Sequence, residues 1–178
     1  GVEIRTFSDE WKKFDSVVMA SHSDQSLKML ENPSDEEVKL LSAIKYQKNQ
    51  AYLHSDTIVM PKRKRCWSSW VYASDELDNS NPVGVSYWMN RLQPISGDEN
   101  FFQSLNPNRE IKQELIYDQK TFMHPVFDRE ALSAQEKFNT IQGRNNTWYC
   151  GAWLRNGFHE DGYSSAVDIL ENIGMVSV

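Results

Sequence analysis

The residues most suggestive of chemistry lie together in Thr147 to Ala166, TWYCGAWLRNGFHEDGYSSA. An apolar strand runs into Gly151, a short loop follows, and a helix opens near Glu160 with the small residues Gly162, Ser165 and Ala166 on its early turns. Small residues let a backbone approach a ligand closely, and the free N–H groups of a helix start attract an anionic oxygen. A tightly packed strand, loop and helix with no ligand has the same pattern, so both readings stay open.

Other combinations carry less. Histidines 22, 54, 124 and 159 are scattered, and none stands at metal-ligand spacing from another or from Cys66 or Cys150, so no metal site is expected. No G-x-S-x-G elbow occurs, which leaves a hydrolase built on His22 or His124 without local support. Lys62-Arg63-Lys64-Arg65 falls between two strand candidates in an acidic chain, where basic residues solvate a hairpin and protect a sheet edge. Trp70, Tyr72, Tyr87 and Trp88 on neighbouring strands either line an apolar ligand cavity or pack across the strands.

These residues need elements to position them. Val2 to Phe7 alternates like a strand, and Phe14 to Ala20 contains the short apolar run of a strand buried on both faces. Helices are predicted over 23–30 and 34–44, where Ser34 and Glu37 form a capping box and Val38, Leu41 and Ile44 follow on one face. From Gln50 the period changes to two, with strands expected at 51–54, 66–72, 83–89, 101–105 and 114–118, an antiparallel arrangement. Asp128 is the expected N-cap of a helix reaching Ile141, and the strand 147–150 and a final helix follow.

The chain has 178 residues, enough for one domain or one domain and part of another. With 39% hydrophobic and 25% charged residues it is too apolar for disorder. No run approaches the roughly 18 apolar residues of a membrane span, and Gly-Val-Glu-Ile-Arg at the start has no signal-peptide character. A formal charge of −6 argues against nucleic acid as a partner. Two cysteines make no disulfide framework, which fits a reduced, cytoplasmic location.

The 147–166 stretch resembles the C-terminal flavin-site motif of FAD-dependent amine-oxidase-like flavoproteins, in which a strand ending in Gly and a helix-opening loop close over the isoalloxazine ring. FDSVVMASHSDQ at 14–25, SYWMNRLQP at 86–94 and MHPVFD at 123–128 resemble one branch, the bacterial predicted NAD/FAD-binding proteins. The resemblance implies FAD as cofactor and hydride transfer to flavin N5. It implies Gly151 and Ala152 beside the ribityl and phosphate region, and Glu160, Asp161 and Gly162 facing the pyrimidine edge. Trp153 is their neighbour, Phe158 flanks substrate above the ring, and Lys48 is the nearest candidate for a lysine that orders a water near N5.

Two departures qualify these implications. The acidic residue that commonly follows the strand-end Gly is Ala152 here, and the substrate is either an amine or an apolar chain such as a fatty-acyl or isoprenoid group. The family's G-x-G-x-x-G loop is also absent from the glycines at 1, 84, 97, 143, 151, 157, 162 and 174. The expected fold is therefore α+β, an antiparallel (mixed) sheet with helices plus an incomplete piece of a Rossmann-like FAD-binding domain. Residues 1–21 would be partial FAD-domain strands, 22–142 a substrate-binding domain, and 143–178 the returning strand and helix. The partner would be a missing N-terminal FAD-binding half, without which this portion is inactive. Strands 16–20 and 147–151 would then share one small sheet, with the N–H groups of Asp161 and Gly162 facing a concavity. The alternative is a stand-alone α+β module that binds an apolar ligand or a protein partner.

Overall fold

Period-two patterning after Gln50 becomes a five-stranded sheet in a computed structural model that describes residues 1–6, 10–74 and 84–173. The chain is mixed α+β and divides into two units, residues 47–124 and a terminal unit of 1–46 with 125–178.

In the 47–124 unit the strands are β4 (Lys45–His54), β5 (Trp70–Ala73), β6 (Gly84–Trp88), β7 (Phe102–Leu105) and β8 (Ile116–Val126), in spatial order β5-β6-β7-β4-β8. β4 starts earlier than expected and β8 runs further. The expected strand over 66–72 shrinks to β5 because Lys64–Cys66 forms a 3-10 turn that turns Trp67 inward, its Nε1–H donating to Pro61 O at 2.8 Å. Phe7 and Val83, both placed in strands by the sequence, lie outside the described residues.

Register decides which side chains share a face, since cross-strand partners point the same way. The pairs His54↔Phe102 and Trp88↔Phe102 put these three rings on one face. There Phe102 packs with Val59, Met60 and Ile111, and Trp67 meets Trp88 edge-on at 5.2 Å. Trp70↔Tyr87 and Tyr72↔Val85 lie on the other face, where Trp70 is 56% and Tyr72 69% exposed. The aromatic cluster is therefore split, with Trp88 in the core and the other three rings on the opposite face.

In the terminal unit β1 (Val2–Arg5) and β2 (Trp11–Phe14) form a hairpin. β2 was not foreseen, because all four of its residues are exposed and no burial period marks it. β3 (Val17–Met19) pairs in parallel with β9 (Thr147–Tyr149), Val17 opposite Thr147, so the two short apolar runs do share one small sheet. The expectation that both are buried on both faces fails at β3, which has β9 as its partner and leaves Val18 44% exposed.

The helices are α1 (Ser23–Met29), α2 (Asp35–Ala43), the single-turn α3 (Met89–Leu92) in the other unit, α4 (Arg129–Lys137) and α5 (His159–Ile173). Leu40, Leu41 and Ile44 pack with Ala131, Ala134, Phe138 and Ile141 around Tyr149 and Trp153. This packing places α1, α2 and α4 in the terminal unit, whereas the sequence boundaries 22–142 grouped them with the antiparallel sheet. Val38, expected on the apolar face of α2, is exposed, and Leu40 takes its place.

Candidate functional site

Parallel strands in open α/β sheets present ligand crevices at their carboxyl ends. Here those ends bring Met19 to Cys150 and Ser21 to Trp153. Cys150 N–H donates to Met19 O at 3.0 Å, and the Trp153 indole N–H donates to Ser21 O at 3.1 Å. Sequence reasoning missed Ser21 as a site neighbour because only the pairing of β3 with β9 puts it there. His22 stacks on Tyr46 with ring centroids 4.4 Å apart, and the Tyr46 hydroxyl accepts Ser23 N–H and donates to Ser23 Oγ.

The strand-to-helix turn is held from inside. Gly151 has φ of 153°, and its N–H donates to Ser165 Oγ at 2.9 Å while that hydroxyl donates to Gly162 O. A Cβ on Gly151 would come within 2.5 Å of Trp153 Nε1, so the glycine makes room for an indole of its own chain. Trp153 is buried and stacks edge-on against Phe138 at 5.0 Å, which makes it a packing residue of the core. A Cβ on Gly162 would sit at ordinary contact distance from Ala152, so α5 runs close to the turn here. Gln135 Nε2 supports the loop by donating to the carbonyls of Trp153 and Arg155.

α5 opens at His159, one residue ahead of the expected start. The Asp161 carboxylate accepts N–H bonds from Asn156 at 3.2 Å and Phe158 at 2.9 Å, so it caps its own loop. Gly162 N–H donates to Phe158 O at 3.2 Å and does not face a concavity. Among the described residues the N–H groups of His159, Glu160 and Asp161 have no partner, as expected for a first helical turn. Phe158 is 70% exposed and Glu160 is exposed. Neither Phe158 nor Glu160 lines the cavities described in this unit, although one cavity reaches Ser165, which holds Gly151. One of about 200 Å³ between α4 and α5 is lined by Gln142, Arg155 and Asp168, and a groove of about 670 Å³ is lined by Trp11, Met19, Glu37 and Thr147.

Gly151, Ala152, Trp153, Phe158, Glu160, Asp161 and Gly162 thus gather around one turn, whereas Lys48 lies exposed on β4 in the other unit. Burial pushes the Cys150 thiol up from its ordinary value, so it is not a ready nucleophile. Among the described residues no cluster of His, Cys, Asp or Glu could hold a metal, and no helix is long and apolar enough to cross a membrane.

No protein-family model matches the chain, and no curated protein matches it by sequence. Among solved structures the chain is similar in fold to a CLA-producing fatty acid isomerase from P. acnes, with a TM-score of 0.61 and 17% identity. The likeness covers 96% of this chain and 44% of that one, so the chain spans under half the length of its structural neighbour.

Proposed function

We propose that this chain is the C-terminal portion of an FAD-dependent, amine-oxidase-like oxidoreductase, supplying a substrate surface and the lid of a flavin site. The observation that carries this reading is the parallel pairing of β3 with β9, with α5 opening just beyond their carboxyl ends. The pair is read as an incomplete Rossmann-like piece, 1–21 and 143–178, and the antiparallel unit as the substrate domain. The resemblance to bacterial predicted NAD/FAD-binding proteins and the fold shared with a fatty acid isomerase support it from two sides.

The turn fits a flavin edge in part. The unpartnered N–H groups of Glu160 and Asp161 suit an acceptor that gains negative charge, and a positive helix end favours such charge. Bound FAD would supply a hydride acceptor at N5. Phe158, exposed beside the helix start, would present its ring to substrate. Gly151 and Ala152 would offer backbone alone, Gly162 acts by letting α5 approach Ala152, and Trp153 by packing beneath the turn. The resemblance alone carries the water-ordering role of Lys48, which lies on β4 in the other unit. The substrate is assigned as an apolar acyl chain ahead of an amine, because the open sheet face offers Trp70, Tyr72 and Leu53. Pyrophosphate recognition belongs to the missing N-terminal half, and the location is cytoplasmic.

Titration of the purified polypeptide with FAD, read by flavin fluorescence, tests this reading. The expected preparation is colourless and binds FAD weakly, because no glycine-rich loop contacts the pyrophosphate. Tight, stoichiometric yellow flavin would overturn the reading as a portion. In the full-length protein Phe158→Ala should lower turnover more than flavin retention. The exposed aromatic face also favours a second reading, a stand-alone binding module, which predicts apolar-ligand binding by the polypeptide and no flavin site in any longer form.

A further inference from the structure

His54 ends β4 in the 47–124 unit and is fully buried. Asp56 N–H donates to its Nδ1 at 3.1 Å, which leaves the neutral ring's proton on Nε2. That N–H donates to Ser104 Oγ at 2.9 Å, and the Ser86 and Ser104 hydroxyls share a hydrogen bond of 2.7 Å. The order of donors means that His54 cannot serve as a base toward Ser104, because the nitrogen facing that hydroxyl already bears hydrogen. Asp56 meanwhile holds two segments. Its Oδ1 accepts Ile58 N–H at 2.9 Å and its Oδ2 accepts Lys112 N–H at 3.0 Å. Those segments carry Val59, Met60 and Ile111, which pack against Phe102.

We propose that His54 and Asp56 form a proton-operated latch, which keeps the 56–60 turn and the 109–112 segment closed over the sheet at neutral pH and releases them on acidification. A second proton on the ring must sit on Nδ1, where it would face the Asp56 N–H, donor against donor. The acceptor within reach is the Asp56 carboxylate, and turning it toward the ring abandons Ile58 or Lys112.

Among the described residues, the groups around the ring leave no other outlet. β6 and β7 contribute the Ser86 and Ser104 hydroxyls and the Phe102 ring at 5.6 Å, and Asp56 is the charged group acting on it. The Arg109 guanidinium binds Ile58 O at 2.7 Å and ties the two segments to each other, not to the ring. Burial holds the ring's pKa below its ordinary value, with the Asp56 charge opposing only in part. Opening restores the ordinary value near 6.5, so the open form gains about tenfold per pH unit below it, until the closed-state pKa is reached.

Amide hydrogen exchange on the whole chain tests the latch, with rates corrected for intrinsic pH dependence. From pH 7.5 to 5 the opening constants at Ile58 and Lys112 should rise by up to about 30-fold, while that at Cys150, bonded to Met19 in the other unit, stays level. His54→Gln should remove the rise. The ring ¹⁵N shifts of the wild-type protein should show hydrogen on Nε2 at pH 7.5, which keeps the idea testable even where His54→Gln does not fold. An unchanged Ile58 and Lys112, an equal rise at Cys150, hydrogen on Nδ1, or a persisting rise in His54→Gln would each overturn it.

Discussion

β5, β6 and β7 pair in the order in which they are made, whereas β3 finds β9 across more than a hundred intervening residues. The antiparallel unit is held by a broad packed face, with Phe102 at its centre among Val59, Met60, Ile111, Trp67 and Trp88. In the terminal unit the parallel pair meets the helical core through Tyr149 and Met19, and long-range polar ties add to this packing. Tyr149 OH donates to Glu37 at 2.7 Å, Gly151 N–H to Ser165 and Trp153 N–H to Ser21. Distributed packing tolerates local error, while a strand pair closed by so large a loop depends on specific anchors.

The largest expected effect tests whether the two regions are separable. Phe102→Ala should cost about 3–5 kcal/mol, with amide protection lost in β4, β6 and β7 and retained at Cys150. Equal loss at Cys150 would make the two units one cooperative structure. Tyr149→Phe probes an anchor of the other region and should cost about 1.5–3 kcal/mol, because the Glu37 carboxylate loses a charge-assisted bond. Urea unfolding would measure it, and a change below 0.5 kcal/mol, the level typical of plain surface substitutions, would show that the tie is dispensable.

Acid should separate the regions in a set order. For Glu37 burial pushes the carboxyl up, but the Ser34 backbone and hydroxyl and the Tyr149 hydroxyl outweigh it, and the net pKa lies below its ordinary value. Its stabilisation is present above the unfolded value near 4.5 and fades as pH falls through the folded value. His54 has the opposite need, a neutral ring, so the antiparallel unit loses stability from about pH 6.5 downward. Amide exchange across a pH series should therefore show β4 and β7 loosening before β3 and β9, and the reverse order would contradict both assignments. Ser165→Ala should cost about 1 kcal/mol in thermal unfolding, since Gly151 N–H loses its acceptor. The smallest effect is expected at Trp70→Ala, within about 0.5 kcal/mol, because its ring lies on the open face. A larger loss would mean that this face packs more than its exposure indicates.

Much of the local architecture is legible in the residues alone. The Ser34 and Glu37 capping box forms as read, Asp128 caps α4 through Ala131 N–H, and the Gly151 loop does lead into a helix at 159. Each of these signals involves a few adjacent residues whose backbone needs are met by one another. The faces of the aromatic strands were not legible, since a shift of one residue exchanges them, and the register that puts Trp88 beside Phe102 is set by pairing with β7. Nor was the fate of the site residues. Trp153 reads as a ligand neighbour until Phe138 and Ser21 enclose it, and nothing in the sequence shows that the Asp161 carboxylate caps its own loop. Composition, capping and periodicity determined which elements this chain makes. Tertiary structure alone decided which side chains remain open to a partner, because burial and hydrogen-bond satisfaction depend on groups distant in sequence.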